Sequence, residues 1–151
     1  MTQVSYNPKS QLRPYLPHAG VYGPGQEHDA YVQLFSVTLA EPGKPDAPFE
    51  DKQCEKDSYS IWTFRVVYDE TVVFAKSRAQ ANLLPNVGSK NLPWMENLGV
   101  QPTGSDAEGN PTYELDKATG IKCIIKVTAP RKDKNDSSVH YTGSVVEVFG
   151  L

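Results

Sequence analysis

Between Tyr59 and Tyr68 the chain alternates without interruption: Ile61, Thr63, Arg65 and Val67 fall on one side of an extended backbone, and Trp62, Phe64, Val66 and Tyr68 on the other. β-Branched and aromatic side chains at a period of two argue against a helix and commit these residues to a strand. Asp69-Glu70 is the turn that follows, and Thr71 to Lys76 returns as the hairpin partner. A lone hairpin is marginal in water, so strands this aromatic need a further strand to pack on or a ligand to stack.

The other elements are read in the same way. Ala30 to Leu39 crowds β-branched and aromatic residues without a helical stripe and is a strand buried over part of both faces. Asn86 to Gly99 predicts a short helix, with Pro93 in its first turn, Leu92, Met95 and Leu98 at three-residue spacing, and Gly99 placed to end it. Gln101 to Pro111 is expected to be a polar loop. Ile121 to Thr128 alternates again, with Ile121, Cys123, Ile125 and Val127 on the core side and Lys122, Ile124, Lys126 and Thr128 opposite. Val139 to Phe149 closes the chain as a last strand with Tyr141, Val145 and Phe149 on one side. The expected fold is therefore mostly β: a five-stranded barrel of the oligonucleotide/oligosaccharide-binding type, with one short helix between strands three and four and long polar loops.

At 151 residues the chain suits one domain. Residues 1–17, with Pro8, Pro14 and Pro17 and no periodicity, are expected to form a flexible arm, and residues 18–151 the barrel domain. Residues 41–57 combine Pro42, Pro45 and Pro48 with dense charge and predict a long loop. Cys54 and Cys123 lie in surroundings too different to suggest a bridge, the N-terminus lacks the apolar core of a signal peptide, and no run is long enough to span a bilayer. A reduced, cytoplasmic setting without membrane contact is the expectation.

Segment 74–99, ending NVGSKNLPWMENLGV, the Leu115-Asp116 step, the Gly120-Ile121-Lys122 entry to the following strand, the polar hairpin, and the closing Gly143-Ser144-Val145-Val146-Glu147-Val148 together resemble small bacteriophage proteins of the oligonucleotide-binding fold. Those proteins bind single-stranded DNA or accompany recombination genes. The resemblance covers roughly residues 58–149. It implies a non-enzymatic function in replication or recombination, partners among the proteins of those processes, and host cytoplasm as the place of action. Pairing through strand edges makes a homo-oligomer a further expectation.

The net charge of −3 excludes an indiscriminately basic protein, so what matters is where the cations lie. Single-strand binding needs aromatic faces for stacking and cations that follow the phosphates. The aromatic candidates are Tyr59, Tyr68 and Phe74, with Arg65, Lys76 and Arg78 beside them in sequence; Lys122, Lys126, Arg131, Lys132 and Lys134 come from the second half. Trp62, Phe64 and Val66 read as core, which leaves Tyr59, Arg65 and Lys76 on the accessible side. Lys122 and Lys126 suit either a solvated sheet face or phosphate contact, and the Arg131–Lys134 tip either solubility or a clamp. Trp94 reads as helix packing. His18, His28 and His140 lack metal-ligand spacing, Gly23-Pro24-Gly25 is no phosphate loop, and Asp69-Glu70 is a turn, so no enzyme, metal or cofactor is expected. A second reading keeps the barrel as a protein-interaction or virion-assembly module without nucleic acid.

Overall fold

The structure, a computed structural model, describes residue 16 and residues 18–40, 59–80, 90–129, 131–132, 140–141 and 143–151. In chain order the strands are β1 (Gly20–Tyr22), β2 (Tyr31–Ala40), β3 (Tyr59–Tyr68), β4 (Thr71–Gln80), β5 (Gly104–Ser105), β6 (Pro111–Thr112), β7 (Cys123–Val127), β8 (Arg131–Lys132), β9 (His140–Tyr141) and β10 (Val145–Gly150). Helix α1 (Asn91–Asn97) stands between β4 and β5, and a 3-10 turn at Leu115–Ala118 precedes β7.

The protein is mostly β with one short helix, as the alternation requires, but the strands divide differently from the expected barrel. Two three-stranded antiparallel sheets, ordered β1-β7-β10 and β2-β3-β4, are accompanied by two short hairpins, β5-β6 and β8-β9. Among the described residues backbone hydrogen bonds join the sheets at one corner. There Gln33 of β2 forms an isolated bridge with Lys122, the Leu34 N–H donates to the Ile121 carbonyl, and the Gly120 N–H donates to the Leu34 carbonyl. No ladder extends from this corner, so among the described residues the barrel does not close.

The β3-β4 hairpin is in register from Tyr59↔Gln80 to Tyr68↔Thr71. Its two-residue turn holds Asp69 at φ 47° and Glu70 at φ 63°. Two positive φ values define a turn whose twist matches that of the strands, a conformation that Asn and Gly adopt at the least cost. Replacing Asp69-Glu70 by Asn-Gly is expected to stabilise the fold by about 1 kcal/mol. An unchanged midpoint in urea would show that the turn stores no such strain.

Core packing follows from size complementarity across the hairpin. Trp62 faces Ser77, Phe64 faces Ala75 and Ser60 faces Ala79, so these three inward residues of β3 each meet a small one on β4. Trp94 of α1 then meets Trp62 edge to face, 5.1 Å between ring centroids. Val32, Leu34 and Val37 of β2, Cys123, Ile125 and Val127 of β7, Val145 and Val148 of β10, and Trp94, Met95 and Leu98 from the helical segment fill the same core. The residue of the expected arm that is described, Leu16, is buried in it as well. Among the described residues no helix is long and apolar enough to cross a membrane.

The described helix begins at Asn91, later than its expected start, and ends as the sequence indicates. Gly99 takes φ 76°, its N–H donates to the Glu96 carbonyl, and the Val100 N–H donates to the Met95 carbonyl. This is the paired closure that a left-handed residue after a helix makes possible.

Three expected elements need correction. The segment read as a polar loop after the helix contains the β5-β6 hairpin, whose turn is organised by Asp106: its carboxylate accepts from the backbone N–H groups of Glu108 and Asn110 at 2.9 Å. The last strand is split into β9 and β10 around Gly143, which approaches the Thr128 carbonyl more closely than any Cβ would permit. Finally, Val145 and Phe149 do not share a side. A register shift between Val145 and Glu147 breaks the alternation, leaving Val145 buried and Phe149 exposed.

Candidate nucleic-acid interface

The β2-β3-β4 sheet has an inner face in the core and an outer face whose composition is unlike that of the whole chain. None of the three strands contains Asp or Glu, although the protein is net acidic. Arg65, Lys76 and Arg78 occupy alternate, outward positions on β3 and β4. Phe74 lies directly across from Arg65.

β2 contributes aromatics beside an irregularity. Leu34 pairs with Phe64 and Ser36 with Thr63, so Phe35 is an extra residue in a bulge. Strict alternation already puts Phe35 outward with Tyr31 and Gln33; the bulge adds Ser36 to the same side and returns Val37 to the core. Phe35 is 55% exposed and meets Phe74 edge to face at 5.2 Å. Four residues earlier, exposed Tyr31 holds the Lys122 ammonium over its ring, 5.2 Å from the centroid. Because Gln33 pairs with Lys122 on one side and Arg65 on the other, and Arg65 with Phe74, three strands and the residue before β7 carry one row: Lys122, Gln33, Arg65, Phe74. At the usual strand spacing this row is about 14 Å long.

The candidates named from sequence separate accordingly. Arg65, Phe74, Lys76, Arg78 and Lys122 come together on or beside this face. Tyr59 is on it too but is buried, contrary to the expectation of an accessible ring, with the Arg78 guanidinium 5.5 Å over its centroid. Burial lowers the Arg78 pKa from its ordinary value, yet an arginine remains a cation at neutral pH. Tyr68 departs from the group: it points the opposite way, half-buried against Tyr22 and His28, with centroid distances of 5.4 and 5.6 Å. Lys126 also departs. It lies on the outer side of β7, where its ammonium is 3.7 Å from the Glu147 carboxylate. Arg131 and Lys132 form β8, paired with β9; Lys134 and the predicted loop at 41–57 lie outside the described residues.

Sequence reasoning missed Tyr31 and Phe35. Their signal is present in the alternation, which puts Tyr31, Gln33 and Phe35 on one side of the strand, but a strand expected to be buried over part of both faces does not say which of its rings are exposed.

Reactive groups elsewhere are tied to structure. Burial pushes the Cys123 thiol up to about 12, which removes it as a nucleophile. Asp106 is held below the usual carboxylate range, first by the Asn110 backbone N–H, and serves its turn. Among the described residues no group of three or more His, Cys, Asp or Glu is placed to hold a metal. Comparison with protein-family models, with curated proteins and with solved structures returns no match.

Proposed function

We propose that the chain binds single-stranded DNA on the outer face of β2-β3-β4, in replication or recombination, as the resemblance of its second half to phage single-strand binders implies. The observation that carries the reading is the coincidence, on one face, of strands without Asp or Glu and exposed or half-exposed aromatics. Phosphates need accessible cations and unstacked bases need ring faces; exposed Arg65 and Lys122 supply the first, and Tyr31, Phe35 and Phe74 the second.

The same reading takes β2, β3, β4, β7 and β10 as the five strands of an open oligonucleotide-binding barrel. In its support, β2 serves both the β3 ladder and the junction with β7, and α1 falls between the third and fourth of these strands. The Asn97 side-chain amide also donates to the Val148 carbonyl at 2.9 Å, tying the helix end to β10. Barrels of this kind bind oligonucleotides on the face of their second and third strands, which here are β3 and β4.

Fluorescence anisotropy with labelled oligo-dT and a matched duplex tests it. The single strand should bind more tightly, with log K falling by roughly 0.7 per phosphate contact for each decade of salt. Phe35→Ala/Phe74→Ala should weaken single-strand binding by about tenfold. Salt-independent binding, or no binding at low salt, would reject this reading and favour protein docking on the same face.

A further inference from the structure

We infer that the bound strand continues past the corner between the sheets onto β10, where Phe149 supplies a further stacking ring; the inference rests on the single-strand reading above and adds a residue outside the face assigned to it. The row Lys122, Gln33, Arg65, Phe74 has a companion. Two residues along each strand, in one common direction, lie Ile124, Tyr31, Val67 and Val72. Tyr31 and Val72 are exposed, and Ile124 and Val67 are half-buried. Beyond them Ile124 pairs with Phe149, whose ring is exposed on the outer side of β10.

A single apolar side chain on a surface is ordinary, whereas a line of them beside a line of polar groups marks a contact surface. The two lines are about 7 Å apart, so a strand laid across the sheets can keep its phosphates over Lys122 and Arg65 and its bases over the apolar line. Charge fixes which line takes which group at the β10 end. The next outward pair along β7 and β10, on the far side of Ile124 and Phe149 from Lys122, is Lys126 and Glu147, with 3.7 Å between ammonium and carboxylate. Glu147 repels phosphate there and neutralises the one cation beside it, which directs the backbone to the Lys122 side and leaves the Phe149 ring to a base. Lys122 is the pivot, because its ammonium already lies over the Tyr31 ring on the first sheet while Ile124 and Phe149 follow it on the second. Every base has a face that can stack on such a ring, so the added contact carries no sequence preference.

Anisotropy with labelled oligo-dT tests the extension on Phe149→Ala and Phe149→Tyr. Phe149→Ala is expected to weaken binding by roughly fivefold to tenfold. The slope of log K against log salt should stay as in the wild type, since a ring is lost and no phosphate contact with it. Phe149→Tyr, which keeps the ring, should bind as the wild type does. In the wild-type protein, irradiation with an oligo-dT carrying iododeoxyuridine should cross-link the peptide containing Phe149 as well as those containing Tyr31 and Phe35, as read by mass spectrometry. Wild-type affinity in Phe149→Ala, or cross-links confined to the first sheet, would overturn the extension onto β10 while leaving the single-strand reading intact. Failure of the wild type to bind oligo-dT at low salt would remove both.

Discussion

Asn91→Leu is expected to destabilise the protein by about 3 kcal/mol, a large share of what a domain of this size possesses. Asn91 is fully buried at the start of α1, and its Oδ1 accepts from Ser60 Oγ at 2.6 Å and from Trp62 Nε1 at 2.9 Å. Leucine fills similar space but leaves two donors of β3 without that acceptor. Ser60 has a fallback in the Ala79 carbonyl at 3.3 Å, and Trp62 Nε1 has one in Ser60 Oγ at 3.1 Å, which keeps the cost below that of two fully orphaned groups. Trp62→Phe, which leaves a cavity in either background, should cost less in Asn91→Leu than in the wild type, because the indole N–H has already lost that acceptor. Urea unfolding followed by circular dichroism checks both variants. A loss below about 1 kcal/mol for Asn91→Leu would mean that the helix is held to the sheet by apolar packing alone.

The second large effect concerns ligand binding. Arg65→Glu/Lys122→Glu is expected to lower single-stranded DNA affinity by roughly a hundredfold at low salt, and to flatten the slope of log K against log salt by about 1.4. Both side chains are exposed, so folding should be unaffected. Lys126→Glu, of identical charge change, is expected to alter affinity by less than about twofold, because this lysine sits beside Glu147 on the other sheet. Equal losses from Lys122 and Lys126 substitutions would show that binding follows net charge and not the face assigned to it.

The hairpin was legible because every level of its sequence agreed: alternation, propensity and a two-residue polar turn all pointed to β3 and β4. The end of the helix was legible for a similar reason, since Gly99 supplies a backbone conformation that other residues resist. What escaped were features set by tertiary context. β1 is three residues long and exists because Val21 and its neighbours pair with β7, a partner over a hundred positions away. Tyr59 is buried despite its outward place in the alternation, since alternation assigns a face but not what covers it. The separation of Lys122 from Lys126, neighbours on one strand face, depends on where the sheets meet. Lys122 lies at the corner beside Gln33, and Lys126 lies four residues along the strand, opposite Glu147.

The bulge at Phe35 frees one surface of β2 from the other. Leu34 and Val37 keep their inward positions on either side of it, and Ser36 still opposes Thr63. A chain without residue 35 could pair Leu34 with Phe64 and Ser36 with Thr63 in unbroken alternation, its inward side chains unchanged. The ring that Phe35 presents is thus an addition to the exposed side that the interior does not register. Length variation at this point offers a route by which the outer surface could gain or lose a contact while the sequence that specifies the core stays the same.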